Sequence, residues 1–275
     1  MITLPVESPH STARFDGRHV PIEPPSLWAA AGMVALYFML QAVASGFIAL
    51  LIGLASGFVH FGQGIKPVGA EIRAMIDQPG MPAILVMLTL GLAAAVILPL
   101  ARKKWPALWW MAGPPGLGVV LPVNPAFFLL AILIGLGAPL LGGLLTALLA
   151  HGKTVTQDIQ DLGTHTPLGL RIALVLVLAS LGPLVEELLF RGVLLSALMQ
   201  RWRVGRSMAI SALLFALVHL PGMQWQWYAL PDLALLALAL AWLRLRSGSL
   251  WPAVLAHGVN NLLAVAVWFV AAGSA

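Results

Sequence analysis

Residues 27–59 run for 33 positions without a charged side chain. A transmembrane helix needs about 20 mostly apolar residues, and at roughly 1.5 Å per residue this run would reach about 50 Å as one helix. It must tilt or protrude, and no turn signal inside it is strong enough to divide it, so it counts as one span. Six further apolar stretches follow, at roughly 81–101, 126–150, 168–198, 207–220, 229–243 and 250–272. The chain is therefore expected to be all-α, a polytopic transmembrane helix bundle of about seven spans. An eighth helix stays open, because the Trp- and Pro-rich connector starting at Trp105 suits the headgroup region where amphipathic rings gather.

Composition removes the other classes. Of 275 residues, 60% are hydrophobic and 9% charged, against about 25% charged in a soluble domain. That is too little charge to cover a water-facing surface. The excess of 15 Lys and Arg over 10 Asp and Glu is too small to suggest nucleic acid, and no glycine-rich phosphate loop stands between a strand and a helix to suggest a nucleotide. With no cysteine, disulfides, thiol nucleophiles and thiolate metal sites are excluded.

The basic residues orient the chain. Arg14, Arg18, Arg102, Lys103, Lys104, Arg201, Arg203, Arg206, Arg244 and Arg246 fall in the first, third, fifth and seventh polar segments. The alternate loops hold Lys66, Arg73, Lys153 and Arg171, with Glu71, Asp77, Asp158, Asp161 and Asp232. Cytoplasmic loops carry the Lys and Arg excess, so the N-terminus is expected in the cytoplasm. Residues 1–26 are polar and Pro-rich without a signal-peptide pattern, and read as a cytoplasmic tail. Gly53 and Gly57 form a GxxxG in the first span, read here as packing within one chain.

Ionisable residues inside the spans carry the information about function. A charge at the bilayer centre costs at least about 2.5–3.5 kcal/mol, so such residues face a protein interior or a cavity. The fourth span holds Glu186, Glu187 and Arg191. Glu187 and Arg191 are four apart and can pair along one face, which leaves Glu186 aimed elsewhere. A plainer reading makes the pair a staple between helices and Glu186 a bystander. The fifth span places Phe215 and His219 one turn apart, and the seventh does the same with His257 and Asn261. Asn260 lies off that face. His219 alone, at a helix end beside Pro221, reads as an interfacial or hydrogen-bonded residue, and His257 with Asn261 as a polar helix–helix contact.

Depth ties them together. At roughly 1.5 Å per residue, Glu186 lies about 22 Å from Arg201, His219 about 20 Å from Arg206, and His257 and Asn261 about 13 and 19 Å from Gly248. Independent structural polar groups have no reason to share a layer. A buried carboxylate near imidazoles can act as a general base on water, and His257 with Asn261 can donate to a developing oxyanion. The same groups leave a second chemistry open, a divalent metal such as zinc held by Glu186, His219 and His257. No HExxH helix and no GxSxG elbow is present.

Taken in order on three spans, Glu186-Glu187-x-x-x-Arg191, Phe215-x-x-x-His219 and His257-x-x-x-Asn261 resemble the three motifs of the CPBP family. That family contains the type II CAAX prenyl endopeptidases and the bacterial Abi-like membrane proteases. The resemblance covers 168–272, and implies a catalytic membrane domain of about four spans there, preceded by an N-terminal transmembrane region at 27–167 of about three. It implies a glutamate-dependent intramembrane endopeptidase, sometimes labelled a metalloprotease, opening to the cytoplasm from the plasma or inner membrane. Its substrate would be a peptide or membrane protein in the bilayer. By position, Glu186 is the base, His219 its partner, Glu187 and Arg191 supports, and His257 with Asn261 the oxyanion donors. Two other functions compete: a proton-coupled transporter, for which paired broken helices in two halves are missing, and a non-catalytic scaffold that keeps the protease fold.

Overall fold

The structure is a computed structural model, and it describes residues 12–15, 18–21, 23–61, 65–151, 162 and 166–272. Lipid offers no partner to a bare peptide group, so an apolar run can satisfy its backbone only as a helix. After a short antiparallel pair, β1 Thr12–Phe15 and β2 Arg18–Pro21, come α1 Leu27–Val59, α2 Ile65–Ile76, α3 Met81–Lys104 and α4 Ala126–Ala150. A kinked run follows, made of α5 Leu168–Ala179, α6 Leu181–Glu187, a π-helical turn Leu188–Leu194 and α7 Leu195–Met199. The chain continues through α8 Val204–Val218, α9 Leu230–Ser247 and α10 Trp251–Ala272.

Among the described residues, five helical stretches are long and apolar enough to cross a membrane: α1, α3, α4, the kinked run Leu168–Met199 and Trp227–Ser247. α8 is apolar but shorter, at 15 residues. The protein is an integral membrane protein, and its packing is built for lipid. α4 turns Ala131, Gly135, Ala138 and Gly142 inward and Leu140, Leu141, Leu144 and Leu148 outward. Small residues at the contact let backbones approach, which is the main source of helix adhesion where lipid tails are as apolar as leucine. At Gly135 a Cβ would stand 2.6 Å from the Ala256 carbonyl oxygen of α10, so that crossing needs glycine. Gly53 likewise faces Ile72 of α2 in the same chain.

Several expectations are corrected. The fourth stretch is not one smooth helix but breaks at Ser180. The third helix end runs on to Lys104, and α9 runs from Leu230 to Ser247 rather than stopping at 243. Part of the tail pairs as β1 and β2, and α2 is an amphipathic helix that hydropathy alone did not mark. The connector after Trp105 holds no further helix. It is a folded loop closed by Leu117 N–H to Leu108 O and Gly118 N–H to Met111 O. Arg244, counted above as a loop charge, is fully buried, donating to Ala112 O at 2.6 Å and Gly116 O at 2.7 Å. Gly118 has φ +76, and a Cβ there would meet the Arg244 guanidinium at 2.5 Å. Lys153, Asp158 and Asp161 lie outside the described residues, as do residues 1–11.

Candidate active site

Pro183 sets the local geometry. Proline lacks the N–H that would bond the carbonyl four residues back, and its ring clashes with that carbonyl. The helix accordingly ends at Ala179, and Ser180 turns out of it at φ −126, ψ −68. Two carbonyls are released and both meet α10. Asn261 Nδ2 donates to Leu178 O at 2.9 Å, and Gly258 lies so close to Ala179 that a Cβ would be 2.3 Å from its carbonyl oxygen. The break thus locks the strand of helix bearing the glutamates to the helix bearing His257. Asn260 donates to Asn261 Oδ1, at 3.4 Å.

Below the break the two glutamates part. Glu187 Oε1 accepts from Arg191 Nη1 at 2.8 Å and from His257 Nδ1 at 2.9 Å. Arg191 Nη2 donates to Ala237 O on α9 at 3.1 Å, and its guanidinium lies 4.5 Å over the Phe215 ring of α8. Glu187 and Arg191 are sealed, both 0% exposed. This set ties the kinked run to α8, α9 and α10, and the π-helical turn carries Arg191 inside it. Such turns recur at functional sites because the extra residue re-aims side chains.

Glu186 points the other way. Its Oε2 lies 3.7 Å from His219 Nε2 and 3.8 Å from His257 Nε2. Its side chain is 14% exposed and that of His219 29%, so this half of the cluster is accessible where the Glu187 half is not. His219 Nδ1 lies 2.7 Å from Phe215 O. A carbonyl only accepts, so Nδ1 carries the hydrogen. The same logic fixes the hydrogen of His257 on Nδ1, which faces the Glu187 carboxylate. In the neutral state both Nε2 atoms therefore offer lone pairs toward Glu186. Three acceptors converge on one spot, which calls for a donor between them. Phe215 holds the rings in place, 4.6 Å from His219 and 5.6 Å from His257.

The donor types, two imidazoles and a carboxylate, are those zinc uses. The spacing differs: with bonds of about 2.0–2.1 Å, tetrahedral ligands stand about 3.3–3.4 Å apart, less than the separations here. Among the described residues no group of three or more His, Asp or Glu is arranged to hold a metal ion. The residues as placed do not fit a metal, and no step below runs through one.

All seven motif residues fall in this one region. The chain offers no local signal for the bond between Glu187 and His257, which are 70 residues apart. The roles of Pro183 and Gly258 were also missed, although Pro183 inside an apolar run and Gly258 beside His257 are visible signals.

The model of the family described as type II CAAX prenyl endopeptidase Rce1-like matches residues 168–263. That segment, which holds the kinked run, α8, α9 and the site-bearing part of α10, is an Rce1-like domain of the CAAX protease type, in agreement with the CPBP resemblance. No curated protein matches the chain, and no solved structure does.

Proposed function

We propose that the protein is an intramembrane endopeptidase in which Glu186 activates water to cut a peptide bond of a membrane-associated protein or peptide. The observation that carries this reading is the convergence of His219 Nε2 and His257 Nε2 on Glu186 Oε2 at 3.7 and 3.8 Å. Those separations are too long for direct hydrogen bonds and suit one bridging solvent oxygen. A water there donates one hydrogen to Glu186 and the other to His219, leaving a lone pair for attack. The proton passes to Glu186 as oxygen bonds the carbonyl carbon, and Glu186 returns it to the leaving amine as the C–N bond breaks.

The oxyanion needs donors. His257, with Nδ1 already committed, donates from Nε2 only as an imidazolium, and Glu187 supplies its counter-charge. Asn261 has a second amide hydrogen beyond the one given to Leu178 O. Glu187 and Arg191 therefore act as positioning residues. Residues 168–272 form the catalytic region, with 27–167 framing the approach of substrate. The bias of Lys and Arg supports an N-terminus and a mouth of the site on the cytoplasmic side of the membrane, taken here to be the plasma or inner membrane.

The test uses protein purified in detergent and fluorogenic peptides ending in Cys-a-a-X, with and without a prenyl group on the cysteine. Wild-type protein cleaves members of the panel, and Glu186→Ala and His219→Ala each lose about 10²-fold or more, the usual worth of a general base. Unimpaired cleavage by Glu186→Ala overturns the mechanism.

A further inference from the structure

The Tyr37 hydroxyl is a buried polar group outside the cluster of glutamates and histidines. Tyr37 sits about a third of the way along α1, in the half of the chain that the family match does not reach. It is 0% exposed, and with Ala30 and Met33 it forms the inward face of α1, packed in the same core as Val185, Leu188 and Leu189 around the glutamates. α1 lies directly against the π-helical turn. The ring is fixed edge-on to Phe38, with centroids 5.0 Å apart. Its hydroxyl is shielded from solvent, and no hydrogen bond of acceptable geometry closes on it. The polar side chains that act on it are Glu186 and Gln41.

A buried phenol normally finds a partner. Here the ring is held while the hydroxyl closes no well-formed hydrogen bond, in the core that packs the glutamate-bearing helix and within the electrostatic reach of Glu186. During attack, negative charge leaves Glu186 with the incoming proton and appears on the peptide oxygen. A fixed donor in this core, within the electrostatic reach of Glu186, is then of more use to the transition state than to the resting site. We infer that the Tyr37 hydroxyl is a hydrogen-bond donor to the reacting peptide, contributed to the catalytic site by the N-terminal region. Its partner arrives with the substrate. This rests on the hydrolytic reading and adds to it that residues 168–263 do not contain the whole site.

Tyr37→Phe removes the hydroxyl and keeps the ring. With the same fluorogenic peptides, the inference expects kcat to fall at least about tenfold, within the range for loss of one oxyanion donor, with KM within twofold and an unchanged melting temperature. A peptide aldehyde, whose hydrate mimics the tetrahedral intermediate, should bind the variant about tenfold more weakly, while the cleaved product peptide binds equally. A kcat within twofold of wild type overturns the inference. So does an equal weakening of aldehyde and product with a lowered melting temperature, which marks a packing role. Glu186→Gln is assayed alongside. If it stays active, the hydrolytic reading fails and takes the inference with it, whereas an inactive Glu186→Gln beside a fully active Tyr37→Phe rejects Tyr37 alone.

Discussion

Glu186 and Glu187 are identical in chemistry and adjacent in sequence, yet about 100° of helical rotation sends one into a sealed ion pair and the other toward an accessible pair of imidazoles. The difference has separable consequences. Glu187→Gln leaves Arg191 buried without its counter-charge, and breaking a buried pair from one side costs about 3–5 kcal/mol. We expect a clearly lowered melting temperature in detergent for Glu187→Gln and little change for Glu186→Gln. Equal melting temperatures would show that the buried pair is not what holds the four helices. That Glu187 pairs with Arg191 was legible from their spacing, and that Glu186 faces elsewhere followed from it. The additional bond from His257 was not, since nothing local in a sequence announces a contact between helices.

At the scale of elements, the helices were readable because lipid permits little else, whereas their interruptions were not. The run 168–198 is apolar throughout, so hydropathy treats it as continuous; only Pro183 marks the break, and the sealing of the freed carbonyls by Asn261 and Gly258 requires the fold. Gly258→Ala should therefore push α10 away from Ala179 and lower both melting temperature and cleavage, and an active, stable alanine variant would show that the close approach is dispensable. A second joint lies between α1 and α2, where Glu71 bonds the Ser56 hydroxyl and, at 2.8 Å, His60 Nε2. The Ser56 hydroxyl, then His60, holds the Glu71 carboxyl below its ordinary range. A depressed folded-state value means that the joint contributes stability above the unfolded range, near about pH 4.3, and loses it as pH falls through the folded value. The melting temperatures of wild type and Glu71→Gln should differ at pH 7 and converge in acid. A difference that persists in acid would rule out the carboxylate as its source.

Across the whole molecule, the alternation of charge is what predicts the orientation, and two of its members are buried: Arg244, and Arg171, which lies within α5 and donates to Thr166 O. Arg244 is adjacent to a loop in sequence, but the connector 105–123 folds back over it from 128 and 132 residues away, and such long-range burial has no sequence signature. The orientation itself is open to direct measurement because the chain has no cysteine. Single cysteines placed at Arg203 and at Asp77 should differ in intact cells, the second alone reacting with a membrane-impermeant maleimide; the reverse pattern inverts the topology. The central claim, that Glu186 and His219 act on one shared water, is tested most directly by a double-mutant cycle on kcat/KM. Groups that act as a unit are grossly non-additive, so Glu186→Gln with His219→Ala should be no more than about tenfold worse than the more damaging single variant. If the two losses multiply instead, the side chains work independently and the shared-water account is wrong.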